Sequence, residues 1–334
     1  MTLATHISCR RWAIAVLLAV SAIVVWLTAG LFGQSLLAEV AIFAIFAMGV
    51  DLAAGHIGLM SIGHAMYFAM GAYGIALLGK AGLAPGFAAL LAVMATLAIA
   101  ALIGHVVVCF GETIFIMLSL ALSEMFYSFL FANRALGGSD GIAGVKRVDL
   151  GFIGVDAKSP ATFALITVLS GVFVFVALDR IVTSPFGLVA TAVRQNPIRA
   201  RAMGTPINAV RTAVYALSAA VSAFAGCLLA QLNGFVSPDL ASWTTSGLVL
   251  IMAILGGLGS ISGAALGAVV VQTASHFIAR LTGYWGFYLG LIFVVVVLFA
   301  ENGLFALLRS ATRRMTPALQ PSSGQPVAAS DQRT

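Results

Sequence analysis

The chain has 334 residues, of which 61% are hydrophobic and only 8% charged, with a formal net charge of +6. Water-soluble domains carry about 25% charged residues, so a soluble globular fold is excluded. The basic residues lie in loops flanking apolar runs, which explains the positive charge without nucleic acid. Apolar stretches of about 20 residues recur along the chain, each long enough to cross a hydrocarbon core of ~30 Å. The ~10-residue alternating segments of a membrane β-barrel are absent. The expectation is an all-α polytopic integral membrane protein with about 8–10 transmembrane helices, some interrupted by glycine.

The first apolar run, Trp12 to Phe32, follows Arg10-Arg11. A cleavable signal, including a twin-arginine one, competes here with a retained helix. The run is long enough to span and no twin-arginine consensus surrounds the pair, which favours a retained helix after a cytoplasmic N-terminus of residues 1–11. Further spans are expected at 36–54, 57–79, 84–109, 113–132, 161–182, 207–230, 245–256, 263–279 and 284–306, giving a transmembrane domain of 12–306.

Two of these spans are broken by glycine. Gly55-His56-Ile57-Gly58 separates the second and third, and Gly256-Gly257-Leu258-Gly259 separates the eighth and ninth, which read as one long helix or two partial ones. Discontinuous helices beside a substrate path and tight packing of glycine-rich helices fit this pattern equally. Gly259, Gly263 and Gly267 form a small-xxx-small stripe expected to pack helices, within the chain or against a second subunit.

With the N-terminus inside, ten crossings return the C-terminus to the cytoplasm. Arg10, Arg11, Arg194, Arg199, Arg201, Arg309, Arg313 and Arg314 then lie inside, in keeping with the positive-inside bias. The loop Asn133–Pro160 falls outside, where Arg134, Lys146, Arg147 and Lys158 face Asp140, Asp149 and Asp156. Residues 307–334, rich in Pro, Ser, Gln and Ala after Met315, read as a disordered cytoplasmic tail.

Between residues 183 and 206 lies a basic segment with helix signals. Ser184-Pro185 and Asn196-Pro197 each pair an N-cap with proline at the first helical position, and Gly204 suits the position after a helix end. Two short helices bending near Asn196 are expected, the second presenting Arg199 and Arg201 beside Ala200, Ala202 and Met203. Docking of that surface into a groove on a cytoplasmic partner and contact of its arginines with lipid headgroups are both open.

Ionisable groups inside spans are the remaining candidates. Glu124 falls mid-span, where an ionised carboxylate costs ~2.5 kcal/mol or more, so it faces the bundle interior or a wet cavity. Contact with a cargo ammonium and a packing role both fit it; Asp51, at the end of the second span, invites the same comparison. Ser61, Gly63 and His64 lie in the glycine-broken segment, where a lone histidine is more often hydrogen-bonded structure than a proton relay. His105 and His276 show no acidic partner in sequence. Cys9, Cys109 and Cys227 are scattered, which implies neither a disulfide framework nor a metal site.

Two motifs mislead. Gly74 to Ala81 nearly spells a phosphate-binding loop, but ends in Ala where Ser or Thr should hold magnesium, and lies in a span. Ser260-Ile261-Ser262-Gly263 with His276 lacks the flanks of an intramembrane serine protease. No catalytic residue and no cofactor is expected, and energy for ATP-driven movement would have to come from a partner.

Several motifs, in order, resemble one family: the permease subunits of binding-protein-dependent ABC importers of branched-chain amino acids, and among them the M-type subunit of the leucine/isoleucine/valine system. The family loop S-x-x-G-R-A-x-x-A-I-R-E-N-E-x-A-A-x-x-x-G is matched by Ser184, Gly187, Ala192, Arg194, Asn196, Ala200 and Gly204. It departs at Gln195 and Pro197, where the family usually has Glu. Gly55 to Ala65, with Gly71-Ala72-Tyr73, is similar to the family's G-x-x-G-Q-L-S-L-G-H-A…G-A-Y, with Leu59 in place of Gln. Gly137 to Gly141 looks like the M-type external turn, and Ser237-Pro238 and Gly256 to Gly267 match a later signature. Glu301-Asn302-Gly303-Leu304 stands where the family often has P-x-G-L.

The resemblance covers about residues 36 to 305. It implies a permease domain at 12–306, with Ser184, Gly187, Ala192, Arg194, Asn196, Ala200, Arg201 and Gly204 in a loop that couples to the ATPase. Ser61, Gly63, His64 and Glu124 would line the path. Implied partners are ABC ATPase subunits, a second permease subunit in a heterodimer, a periplasmic substrate-binding protein and the lipid bilayer of a bacterial inner membrane, with no nucleic acid. Asp51 stands where the family more often has Asn, which weakens a binding role for it. The rival class is a self-contained secondary carrier driven by an ion gradient through Glu124 or Asp51.

Overall fold

The computed structural model describes residues 30–148 and 159–281, with isolated positions between 283 and 294. The expected spans at 12–32 and 284–306 therefore lie almost wholly outside the described residues, as do the tail and Asp149, Asp156 and Lys158 of the 133–160 loop.

The described residues form ten α-helices: α1 (Leu31–His56), α2 (His64–Lys80), α3 (Pro85–Val107), α4 (Glu112–Ala132), α5 (Pro160–Thr183), α6 (Pro185–Gln195), α7 (Pro197–Ala202), α8 (Ile207–Asn233), α9 (Trp243–Gly256) and α10 (Ile261–Leu281). Among them α1, α3, α4, α5, α8 and α10 are long and apolar enough to cross a membrane. The 17 residues of α2 and the 14 of α9 are shorter than a straight crossing needs. This is a multi-pass, all-α architecture.

The centre is α8, packed against α1, α2 and α3, while α1 also contacts α5 and α10. Lipid offers helices no hydrophobic reason to associate, so close van der Waals packing at small residues must hold them. The α2–α8 contact is built that way in both directions. A Cβ on Gly71 would run into the backbone of Ala223, and a Cβ on Gly226 into the backbone of Phe68.

The loops sort to two ends. At one end Gly144 and Val145 donate to the carbonyl of Gly234, and a two-residue ladder pairs Ile142 with Val236 (β1, Ile142–Ala143; β2, Phe235–Val236). Arg147 closes the C-terminus of α8 there, donating to the carbonyls of Gln231 and Leu232 at 3.1 Å each. At the other end meet the 57–63 link, the α9–α10 turn and the α6–α7 segment.

Glycine determines how the broken spans are made. The 256–259 run is a turn, with Gly257 at φ 105° and Gly259 at φ 84°, so α9 and α10 are two helices folded back on each other. Gly263 packs on Gly256, and Gly267 on Met252. Gly259 thus belongs to the turn and not to the expected stripe, and the contact made by Gly263 and Gly267 lies within the chain.

Helix α2 starts at His64, seven residues later than the expected span. Residues 57–63 instead run as non-helical backbone through the bundle, with Ile57, Leu59, Ser61 and Gly63 buried. Buried backbone needs partners. Leu59 N–H donates to the Ala53 carbonyl, Ile62 N–H to Ser119 Oγ and Gly63 N–H to Ser61 Oγ. The Ala65 N–H, in the first turn of α2, donates to Ser246 Oγ of α9 at 2.9 Å.

Candidate functional site

The α6–α7 segment is built from its caps. Ser184 Oγ accepts the Gly187 N–H at 3.4 Å, and Asn196 Oδ1 accepts the Arg199 N–H at 2.9 Å. Pro185 and Pro197 occupy first-turn positions, where a missing N–H costs nothing. The end of α7 is a Schellman motif: Gly204 N–H donates to the Arg201 carbonyl and Thr205 N–H to the Ala200 carbonyl, with Gly204 at φ 82°. Gly187 is buried against Val182 and Ile181 of α5, and Ala192 accepts the Asn196 N–H.

One expectation for this surface changes. Ala200 is 2% exposed, turned inward by the helical period while its neighbours turn out. The outward face of α7 is Ile198, 82% exposed, with Arg199, Arg201, Ala202 and Met203, the last 73% exposed. From Ser184 to Gly204 there are three arginines and no acid.

Arg194, on the last turn of α6, reaches into the body of the protein. Its guanidinium donates to the carbonyl of Gly55, one of the terminal carbonyls of α1 that lack a helical partner. Space for it is made by glycine, since a Cβ on Gly58 would lie 3.3 Å from its Cγ, and one on Gly259 3.3 Å from a guanidinium nitrogen. Beside it Asp51, fully buried, accepts the Gly259 N–H at 2.7 Å. His56 Nδ1 lies 3.9 Å from the other Asp51 oxygen. A side chain at Gly55 would overlap the Asp51 carboxylate and the Gly259 backbone. Asp51 therefore braces the α9–α10 turn against α1, a role that sequence reasoning missed.

Of the four path candidates, the structure brings three together. Ser218 Oγ donates to the Gly49 carbonyl at 2.6 Å, leaving its lone pairs to accept from His64 Nε2 at 2.7 Å. That fixes the proton of a neutral His64 on Nε2 and leaves Nδ1 buried without a partner. Tyr67 OH donates to Tyr215 OH at 3.1 Å, Tyr215 also bonds Ser61, and the His64 ring stands edge-on to both tyrosines. Gly63 lets α4 approach, its missing Cβ standing against the Ser119 carbonyl. Glu124 is elsewhere: half-buried on α4, it accepts the Trp243 N–H at 3.1 Å, and so caps the first turn of α9.

His276, which showed no acidic partner in sequence, has one. Glu39 of α1 takes His276 Nε2 at 3.0 Å and Gln272 Nε2 at 2.7 Å. The available signal was the four-residue spacing of Gln272 and His276 on one helix face, with Glu39 the only acid before Asp51. Among the described residues no group of three or more His, Cys, Asp or Glu could hold a metal ion.

The comparisons with known proteins agree with one another. Residues 33–300 match the family described as branched-chain amino acid transport system / permease component. The chain is 27% identical to the high-affinity branched-chain amino acid transport system permease protein LivM of Salmonella typhimurium, over 85% of this chain and 71% of that protein. It is 27% identical to the Escherichia coli LivM, over 80% of this chain and 68% of that protein. A probable LivM of Methanocaldococcus jannaschii is 32% identical over 32% of this chain and 31% of its own length. No solved structure is significantly similar. With the family match spanning most of the chain and the helices of a multi-pass membrane protein in place, the chain belongs to the family of permease components of branched-chain amino acid transport systems.

Proposed function

We propose that this permease is the passive, non-enzymatic membrane subunit of an ATP-driven importer, working with two ATPase subunits, a second permease subunit and an external binding protein. The α6–α7 segment is the surface that receives the ATPase, and its end of the bundle is cytoplasmic. Branched-chain amino acids are the cargo, moved across a bacterial inner membrane.

The observation that carries this reading is the construction of α7. Six residues are too few to hold a helix by themselves, yet this one is capped at both ends, anchored by Ala200, and shows Ile198 and Met203 outward on either side of Arg199 and Arg201. Exposed aliphatic side chains on a rigid, basic platform suit an apolar socket with an acidic rim. The arginine-rich, acid-free segment also fits the cytoplasmic side by the positive-inside bias. The carrier alternative loses support because Glu124 and Asp51 both serve as acceptors for backbone N–H groups.

The test is purification from the native membrane in mild detergent, followed by reconstitution and leucine uptake. Co-purifying ATPase subunits and uptake that requires both ATP and the binding protein are expected. Uptake by the chain alone, driven by an ion gradient without ATP, would replace this reading with the carrier. Within the complex, Ile198→Asp should release the ATPase subunits while leaving the bundle folded.

A further inference from the structure

We propose that Arg194 is the strut that carries displacement of α6–α7 into the bundle, by holding the end of α1 and the α9–α10 turn as one unit. The proposal rests on α6–α7 being the surface that receives the ATPase.

The geometry is specific to this arginine. All three arginines of the segment are exposed to solvent along part of their length, but the guanidinium of Arg194 also bonds the body of the protein, at the Gly55 carbonyl. It does so where two helix ends converge. Gly55 is the penultimate residue of α1, and Gly259 lies in the turn that joins α9 to α10. Asp51 closes the unit from behind by holding the Gly259 N–H.

Rigid helices then extend from this node into the bundle. The α9–α10 pair is locked by glycine contacts at Gly256–Gly263 and Met252–Gly267, so a push on its turn moves both helices together. Along α1, Gly49 lies six residues before Gly55, about 9 Å at helical rise, and its carbonyl takes the hydrogen of Ser218, which in turn accepts from His64. The strut therefore joins the outer segment to the buried Ser61–His64–Tyr67–Tyr215 cluster through one helix and two hydrogen bonds. A loop tethered only by its chain ends would dissipate the same displacement.

The experiment compares Arg194→Ala, Arg194→Met and Arg194→Lys in the full transporter complex, purified and reconstituted. Three quantities are read: complex recovered, ATP hydrolysed, and leucine imported per ATP. For Ala and Met we expect normal recovery and continued hydrolysis, with leucine per ATP falling about tenfold, the scale of one lost charge-assisted hydrogen bond. Arg194→Lys, which keeps a cationic donor, should recover part of the ratio. Asp51→Asn, which keeps an acceptor for the Gly259 N–H, should stay near the wild-type ratio, while Asp51→Leu should lower it.

A ratio within twofold of wild type in Arg194→Ala would overturn the strut, as would failure of both uncharged variants to assemble, which would make Arg194 a folding residue. If the wild-type chain itself carried no ATPase and imported leucine without ATP, the underlying functional reading would have failed instead.

Discussion

The carboxylate of Glu39 on α1 and the imidazole of His276 on α10 meet at 3.0 Å, and the same carboxylate holds Gln272 at 2.7 Å. This tie joins α1 to α10 toward the end of the bundle opposite Arg194, so the two helices are fastened at both ends. Both members of this hydrogen-bonded pair are about one-third exposed, at 31% for His276 and 29% for Glu39, so the contact contributes little by itself. Gln272 is different: it is 5% exposed, and without Glu39 its amide hydrogen has no acceptor.

Glu39→Ala should therefore destabilise the protein by about 1–3 kcal/mol, the cost of an unsatisfied buried donor. Glu39→Gln keeps an acceptor for Gln272 and should lose less. Thermal unfolding in detergent ranks the two variants, and an unchanged Tm for Glu39→Ala would show that the tie bears no load.

Ser218 sits between two partners of unequal need. The Gly49 carbonyl lies inside α1 and is already served by the helix, whereas His64 Nε2 depends on Ser218 Oγ. Ser218→Ala should cost about 1–3 kcal/mol, nearly all of it from the stranded imidazole N–H. His64→Ala combined with Ser218→Ala should then cost less than the sum of the single changes, since neither leaves the other a partner to lose. Strict additivity in the unfolding free energies would contradict a direct bond.

Much of the architecture was legible from the residues because each long span declares itself by length. The ends of α3, α4, α5 and α8 fall within about three residues of the hydropathy boundaries. The start of α2 does not, because residues 57–63 are as apolar as a helix yet run as irregular, mostly buried backbone that turns at Gly58, with φ 75°, which hydropathy cannot distinguish. Capping of α6 and α7 was legible because Ser-Pro, Asn-Pro and a terminal glycine are local signals. Asp51–Gly259, Arg194–Gly55 and Glu39–His276 join residues more than a hundred positions apart, and no local pattern encodes such pairs. Ala200 was misread because composition alone does not say which side of a one-and-a-half-turn helix faces its own protein.

Arg147 holds the 133–148 segment to α8 by donating to two terminal carbonyls, and its guanidinium also lies 5.1 Å from the Phe163 ring centre. A lysine cannot reproduce a two-point contact. Arg147→Lys and Arg147→Ala should both free this segment. Limited proteolysis in detergent should cut between Gly137 and Val148 several times faster than in the wild type, with the helices still folded. Equal cutting rates would mean that the β1–β2 ladder, the Gly234 carbonyl and the Val148 N–H bond to Gln231 Oε1 suffice to hold it.

The glycines make opposite predictions according to what faces them. Gly226 on α8 stands against the backbone of Phe68 on α2, and a methyl group there would overlap it. Backbone cannot turn aside as a side chain can, so Gly226→Ala must move α8 off α2, at a cost of about 1–3 kcal/mol or more. Gly247, in α9, has nothing within 4 Å of its would-be Cβ. Replacing it by alanine removes the conformational freedom that glycine brings to a helix, which is worth up to about 1 kcal/mol. Gly247→Ala should thus raise Tm slightly where Gly226→Ala lowers it. Both are the same chemical change in helices of the same bundle, so the sign of the difference isolates packing from propensity. If both variants shifted Tm in the same direction by the same amount, the close α2–α8 approach would not be what holds the centre of the bundle.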